Sequence, residues 1–181
     1  DLIRDKQNPV VFDPNVNNIK FVPTSSDANE IWLVNMGVHP TSLSRDTDKV
    51  SADYPGALAR YAKEVADVDV AFYQGAQSAI TKNSDPLNLP EGSTGFDEAV
   101  KYGEVIVERI LDIDNYTELD PILNIAHAEV LIPVTNPLLW VVCKWQLANN
   151  RCIMTTDRIQ DALAVSEIGY CELGKSLAII L

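Results

Sequence analysis

The sequence predicts an α/β fold: a layered mixed sheet, with a parallel core and antiparallel additions, flanked by helices. Three observations lead there. Short apolar runs of strand composition alternate with segments of helical period. One run, "IWLVNMGV" at 31–38, is apolar on both faces, as expected of a central parallel strand. The segment "FDEAVKYGEVIVERIL" carries a continuous apolar stripe at helical spacing, which predicts a helix packed on a sheet.

The elements follow in order. The opening "DLIRDKQNP" offers no obvious first element, and "NIKFV" at 18–22 and then 31–38 read as strands. A polar loop leads to a helix opened by Asp53 or Tyr54, with Pro55 at the first helical position, where a missing N–H costs nothing. Leu58, Tyr61, Ala62 and Val65 fall on one face of it. "VDVAFY" is the next strand. "QGAQSAITKNSDPLNLPEGSTG" is dense in turn residues and reads as a long loop, the kind that usually carries function. The stripe that follows consists of Phe96, Ala99, Val100, Gly103, Ile106, Val107, Ile110 and Leu111. "LNIAHAEVLIPV" is a strand, long or bent near Ala126; "NPLLWVVCKWQL" fits a helix started by Pro137 or a buried strand. "ALAVSEIGYCEL", with a bend expected near Gly169, and "SLAIIL" complete the set. Trp32, Trp140 and Trp145 are expected in the core.

A chain of 181 residues without internal repeats or low-complexity linkers suits a single domain. Because it closes on what reads as a core strand, a piece of a longer protein is expected, with an exposed strand edge that would promote self-association. The net charge of −12, with 14 basic residues scattered among 26 acidic ones, excludes a nucleic-acid-binding surface. No apolar stretch reaches the roughly 18–20 residues of a membrane span. Cys143, Cys152 and Cys171 form no CxxC motif and leave one cysteine over, so buried thiols rather than a disulfide framework are expected. The cysteines do not fix the compartment.

Sites in open α/β sheets gather beyond the carboxyl ends of parallel strands. The loops starting at His39 and Gln74 both qualify, and they converge if their strands are neighbours. Each candidate also has a structural explanation: His39 as the end of a strand, Asp53 as an N-cap ahead of Pro55, and Ser78 and Thr81 as turn residues bonded to their own backbone. His127, between two alanines, reads as a core or sheet-edge histidine.

The segment "HPTSLSRDTDKVSADYPG" resembles the neutral/alkaline (non-lysosomal) ceramidase family, whose first block is a His, a Thr-Ser pair, a polar loop and a Ser-x-Asp-x-x-Gly turn. Here these are His39, Thr41, Ser42, Ser51, Asp53 and Gly56. The second block runs from a Gln through Gly-Asp to Ser-Pro-Asn at the nucleophile. In "QGAQSAITKN", Gln74 and Asn83 match the ends and Thr81 takes the nucleophile position, while Ser78-Ala79 replace Gly-Asp and Lys82 replaces Pro. Weaker similarity runs through "DEAVKYGEVIVERIL", "PVTNPLL" and "EIGYCELGKSLAIIL".

The resemblance implies a zinc-dependent amidase that cleaves the N-acyl bond of ceramide, a lipid amide. Its zinc would polarise the amide carbonyl and acidify a bound water. His39 matches one metal-ligand position, Thr81 lies near the attacking group with Ser78 as a substitute, and Asp53 belongs to the first block. The other ligands of the family, a His-x-His, a glutamate and a tyrosine, fall outside residues 1–181, so zinc is expected in a parent protein rather than in this chain alone. Family members are often secreted, which leaves secreted and cytoplasmic locations both open. Two alternatives stand beside this reading: a related hydrolase of another amide or ester, and a non-catalytic relative that keeps the scaffold as a binding module.

Overall fold

The computed structural model describes all residues except 6, 8, 44–46, 78–79, 146, 148–151, 155–161, 176 and 181. Ser78 therefore lies outside the described residues. The chain forms two compact units, Asp1–Asn115 and Tyr116–Leu181. The first contains, in order, β1 (Ile3–Asp5), β2 (Asn17–Phe21), β3 (Ile31–Met36), α1 (Asp53–Ala66), β4 (Asp69–Gln74), β5 (Ile80–Lys82), a 3₁₀ turn at Asp85–Leu87 and α2 (Gly95–Leu111). The second contains β6 (Leu123–Pro133), α3 (Pro137–Trp145), β7 (Cys152–Met154), β8 (Ala162–Leu173) and β9 (Leu177–Ile180). Mixed sheets and helices make this an α/β fold, as the sequence predicts.

In the first unit β3 is the middle strand, antiparallel to β2 and parallel to β4. Its buried positions alternate: Trp32, Val34 and Met36 point into the core, while Leu33 and Asn35 are half-buried. Leu58 and Ala62 of α1 and Tyr102, Ile106, Val107 and Ile110 of α2 complete that core. Each fully buried large aliphatic side chain there contributes about 1.5–3 kcal/mol relative to an exposed one. The two helices touch at Gly103, where a Cβ would stand 2.5 Å from the backbone nitrogen of Leu58. A side chain at this position would therefore force the helices apart.

Helix ends follow local chemistry. Thr94 caps α2 in a capping box, its hydroxyl oxygen accepting from the Asp97 N–H while the Asp97 carboxylate accepts from the Thr94 N–H. Asp67 ends α1 in a left-handed conformation with its N–H donated to the Lys63 carbonyl.

Several expectations are corrected. The opening segment does hold a strand, because β1 pairs antiparallel with β5, inside the stretch that reads as loop. Val65, Phe96, Val100 and Leu111 are exposed, so the apolar stripes are narrower than the sequence suggests, and Tyr102 takes a buried place on α2.

In the second unit β6 and β8 pair antiparallel over eleven residue pairs, from Leu123↔Leu173 to Pro133↔Leu163. The register runs through Ala126 and Gly169 with no inserted residue, so neither position is a bulge. β7 pairs with one end of β8 and β9 with the other. The buried cluster is small: Val134, Cys143 and Ala162, with Trp140, Cys152 and Ala164 packed against it. Trp145 is exposed, against the expectation of a core residue. Cys143 and Cys152 are bonded as a disulfide, which corrects the expectation of buried thiols, while Cys171 is free. Among the described residues no helix is long and apolar enough to cross a membrane.

Candidate functional site

The parallel register aligns Met36 with Gln74, so β3 and β4 end side by side and their loops start together. Both loops begin with glycine. A Cβ on Gly37 would stand 2.4 Å from the Ala76 carbonyl oxygen, and one on Gly75 would stand 3.0 Å from the Gly37 nitrogen. This contact between backbones is open only to glycine. The Gln74 side-chain amide then donates to the carbonyls of Met36 at 3.0 Å and Val38 at 2.9 Å. The buried Tyr54 hydroxyl donates to the same Val38 carbonyl at 2.8 Å. The residue preceding His39 is thus gripped from β4 and from α1. His39 itself is half-buried, and its carbonyl accepts from the Thr41 N–H at 3.0 Å.

Asp53 fixes the next turn of this loop. Its carboxylate is buried and accepts from the Ser42 N–H at 2.7 Å, the Ser42 hydroxyl at 2.7 Å, the Leu43 N–H at 3.3 Å and the Tyr54 N–H at 2.7 Å. Four donors fill the acceptor capacity of a carboxylate. The Asp53 N–H in turn donates to the Ser51 hydroxyl. The N-cap expectation needs correction: Ala52 holds the cap position, and Asp53, at φ 54°, ties the His39 loop to the start of α1. From the opposite side α2 closes in, since a Cβ on Gly95 would stand 2.3 Å from the Ser42 carbonyl oxygen. An open cleft of about 440 Å³ adjoins, lined by Ser42, Leu43, Lys49, Leu89, Phe96 and Glu98 among others.

Thr81 lies in β5, opposite Arg4 of β1, with its hydroxyl 3.4 Å from the Arg4 carbonyl. Lys82, which stands where the ceramidase motif has proline, is consumed by a partly buried ion pair with Glu98; the Ser84 hydroxyl donates to the same carboxylate oxygen at 2.6 Å. Asn83 accepts from Arg4 and donates to the Asp1 carbonyl. The strand pair therefore holds the whole Thr-Lys-Asn segment. The structure brings Asp53, Ser42 and Ser51 together and sets Gln74 against the chain before His39. No hydrogen bond joins Thr81 to Asp53 among the described residues. His127 is exposed on β6, in the second unit.

Electrostatics mark two tyrosines. Burial, then the neighbouring Tyr102 and Asp53, push the Tyr54 phenol well above the usual tyrosine value; burial, then Glu98, does the same to Tyr102. Both stay neutral donors, Tyr54 to Val38 and Tyr102 to the Leu2 carbonyl at 2.6 Å.

A catalytic zinc needs about three protein donors. Among the described residues no group of three or more His, Cys, Asp or Glu side chains is placed to hold a metal ion. These residues alone do not fit a zinc centre.

Sequence reasoning missed the working partners of this loop: Gln74 as a clamp, Tyr54 as a second donor, and Gly95 as the docking point of α2. A signal was present, because "MG" and "QG" end two successive apolar runs, and paired glycines after neighbouring strands announce close-packed loops.

No protein-family profile matches the chain, and no curated protein matches it significantly by sequence. Among solved structures it is similar to the neutral ceramidase from Pseudomonas aeruginosa, with a TM-score of 0.69 and 16% sequence identity. The match covers 99% of this chain and 38% of that protein, so the chain spans under two fifths of its neighbour's length. At that identity the likeness is one of fold, and the chain has a ceramidase-like scaffold.

Proposed function

We propose that this chain is part of a ceramidase-like hydrolase that cleaves the N-acyl bond of ceramide or a related lipid amide. The observation that carries the reading is the fold match to a neutral ceramidase over 99% of the chain. The place of His39 just past the shared end of a parallel strand pair, next to the hydrogen-bonded Val38 carbonyl, supports it. In this reading His39 is one donor to a zinc ion whose other donors come from polypeptide outside residues 1–181. Thr81 sits near the reacting group, and Asp53 and Gln74 hold the loop.

The test is hydrolysis of a fluorescent N-acyl sphingoid amide by the natural polypeptide that carries this chain, with zinc supplied. Release of the fatty acid, abolished in His39→Ala, is the expected result. Absence of turnover by folded protein would contradict it. Turnover of only short amides or esters would retain a hydrolase and overturn the lipid substrate.

A second reading, a non-catalytic lipid-amide-binding module, is favoured by one observation: Thr81, Lys82 and Asn83 are all engaged by β1 and α2. It predicts binding of ceramide-bearing vesicles without hydrolysis.

A further inference from the structure

We propose that the Cys143–Cys152 cystine forms by oxidation as the protein folds in an oxidising compartment, and that this crosslink staples the second unit, whose buried cluster is small among the described residues. The buried hydrophobic side chains among its described residues are Val134, Cys143 and Ala162, while Leu123, Ile125, Leu131, Leu138 and Trp145 stand exposed. A buried cluster as small as the one among the described residues gains from a crosslink. The two cysteines are well placed for one. Cys143 lies on α3 and Cys152 on β7, their Cα atoms 5.5 Å apart and so within cystine range. The bond therefore joins a helix to the sheet edge, in the middle of the small cluster. Cys171, on β8, is free and has no part in it.

The chemistry balances by exchange. One cysteine thiolate attacks the disulfide of oxidised glutathione and expels a glutathione thiolate, leaving a mixed disulfide. The second cysteine then attacks that bond and expels the other glutathione. The pair loses two electrons and two protons, and one oxidised glutathione becomes two reduced. A reducing cytosol opposes this step; secretory and extracellular space permits it.

The test takes the 181-residue chain refolded in equimolar reduced and oxidised glutathione, then denatured in an alkylating agent and mapped by peptide mass spectrometry. The expected product is a Cys143–Cys152 linked peptide with alkylation on Cys171 alone. Alkylation of all three cysteines would overturn the proposal. A Cys143→Ser/Cys152→Ser double variant is expected to be cut by protease within β6 and β8 at least roughly tenfold faster, with the Asp1–Asn115 unit digested as before. Equal resistance in β6 and β8, or loss of protection in both units alike, would overturn the stapling role. Cys171→Ser is expected to keep both the linked peptide and the protection.

Discussion

A carboxylate held by four donors cannot be removed without stranding them, and Asp53 is in that position. Asp53→Ala leaves the half-buried Ser42 and Leu43 N–H groups without their acceptor. The expected loss is about 3 kcal/mol, read as a lower urea midpoint at unchanged slope. Asp53→Asn keeps one carbonyl acceptor and tolerates the left-handed backbone, so about half that loss is expected. The tyrosines give a pH dependence. Both phenols have folded values raised above the unfolded value near 10, so the folded state holds its protons more tightly. Their contribution to stability is fully present below pH about 10 and is lost as pH rises toward the folded values. Through these two groups thermal midpoints should therefore fall above about pH 10 and not below it. In a Tyr54→Phe/Tyr102→Phe variant the alkaline fall should be shallower. An equally steep fall would assign it to other groups.

At the scale of elements, the contact of α1 with α2 depends on Gly103. An alanine there gains about 1 kcal/mol of helix propensity, but its Cβ would meet the backbone of Leu58 at 2.5 Å and of Tyr54 at 2.9 Å. Backbone cannot step aside as a side chain can. Gly103→Ala should therefore destabilise the first unit by a net 1–3 kcal/mol or roughly so, measured by thermal or urea unfolding; a neutral or stabilised variant would contradict the close helix contact. The sequence made α2 legible because its apolar residues recur at helical spacing. It hid which of them face solvent, since burial depends on the partner: Tyr102 is buried because Leu2 offers its carbonyl, and Phe96 is exposed at the lip of the cleft. The β3–β4 pair was legible for the same reason, two short apolar runs separated by a helix. The β1–β5 pair was not, because it joins three-residue strands 77 positions apart and neither has a pattern long enough to read. The sequence singled out the His39 loop as a candidate, but the Gln74, Tyr54 and Gly95 contacts that set its shape are long-range and left only the paired glycines as a trace.

For the whole molecule, the second unit raises the question of association. Among the described residues β6 is an edge strand of eleven residues in the order β6-β8-β7, and Leu123, Ile125, Leu131 and Ile132 on it are exposed. Long apolar edges pair with other chains unless covered. Sedimentation of the 181-residue chain should show concentration-dependent association, weakened by Ile125→Lys. A monodisperse monomer at high concentration would contradict this. The measurement that bears most directly on the central claim is zinc content, by elemental analysis, of the natural polypeptide carrying residues 1–181 and of its His39→Ala variant. Stoichiometric zinc, lost in the variant while the fold is kept, is the predicted result and makes His39, in the loop after β3, a metal ligand. Protein that folds without zinc, or that keeps it in the variant, would contradict the claim and leave His39 as a residue of the loop that follows β3.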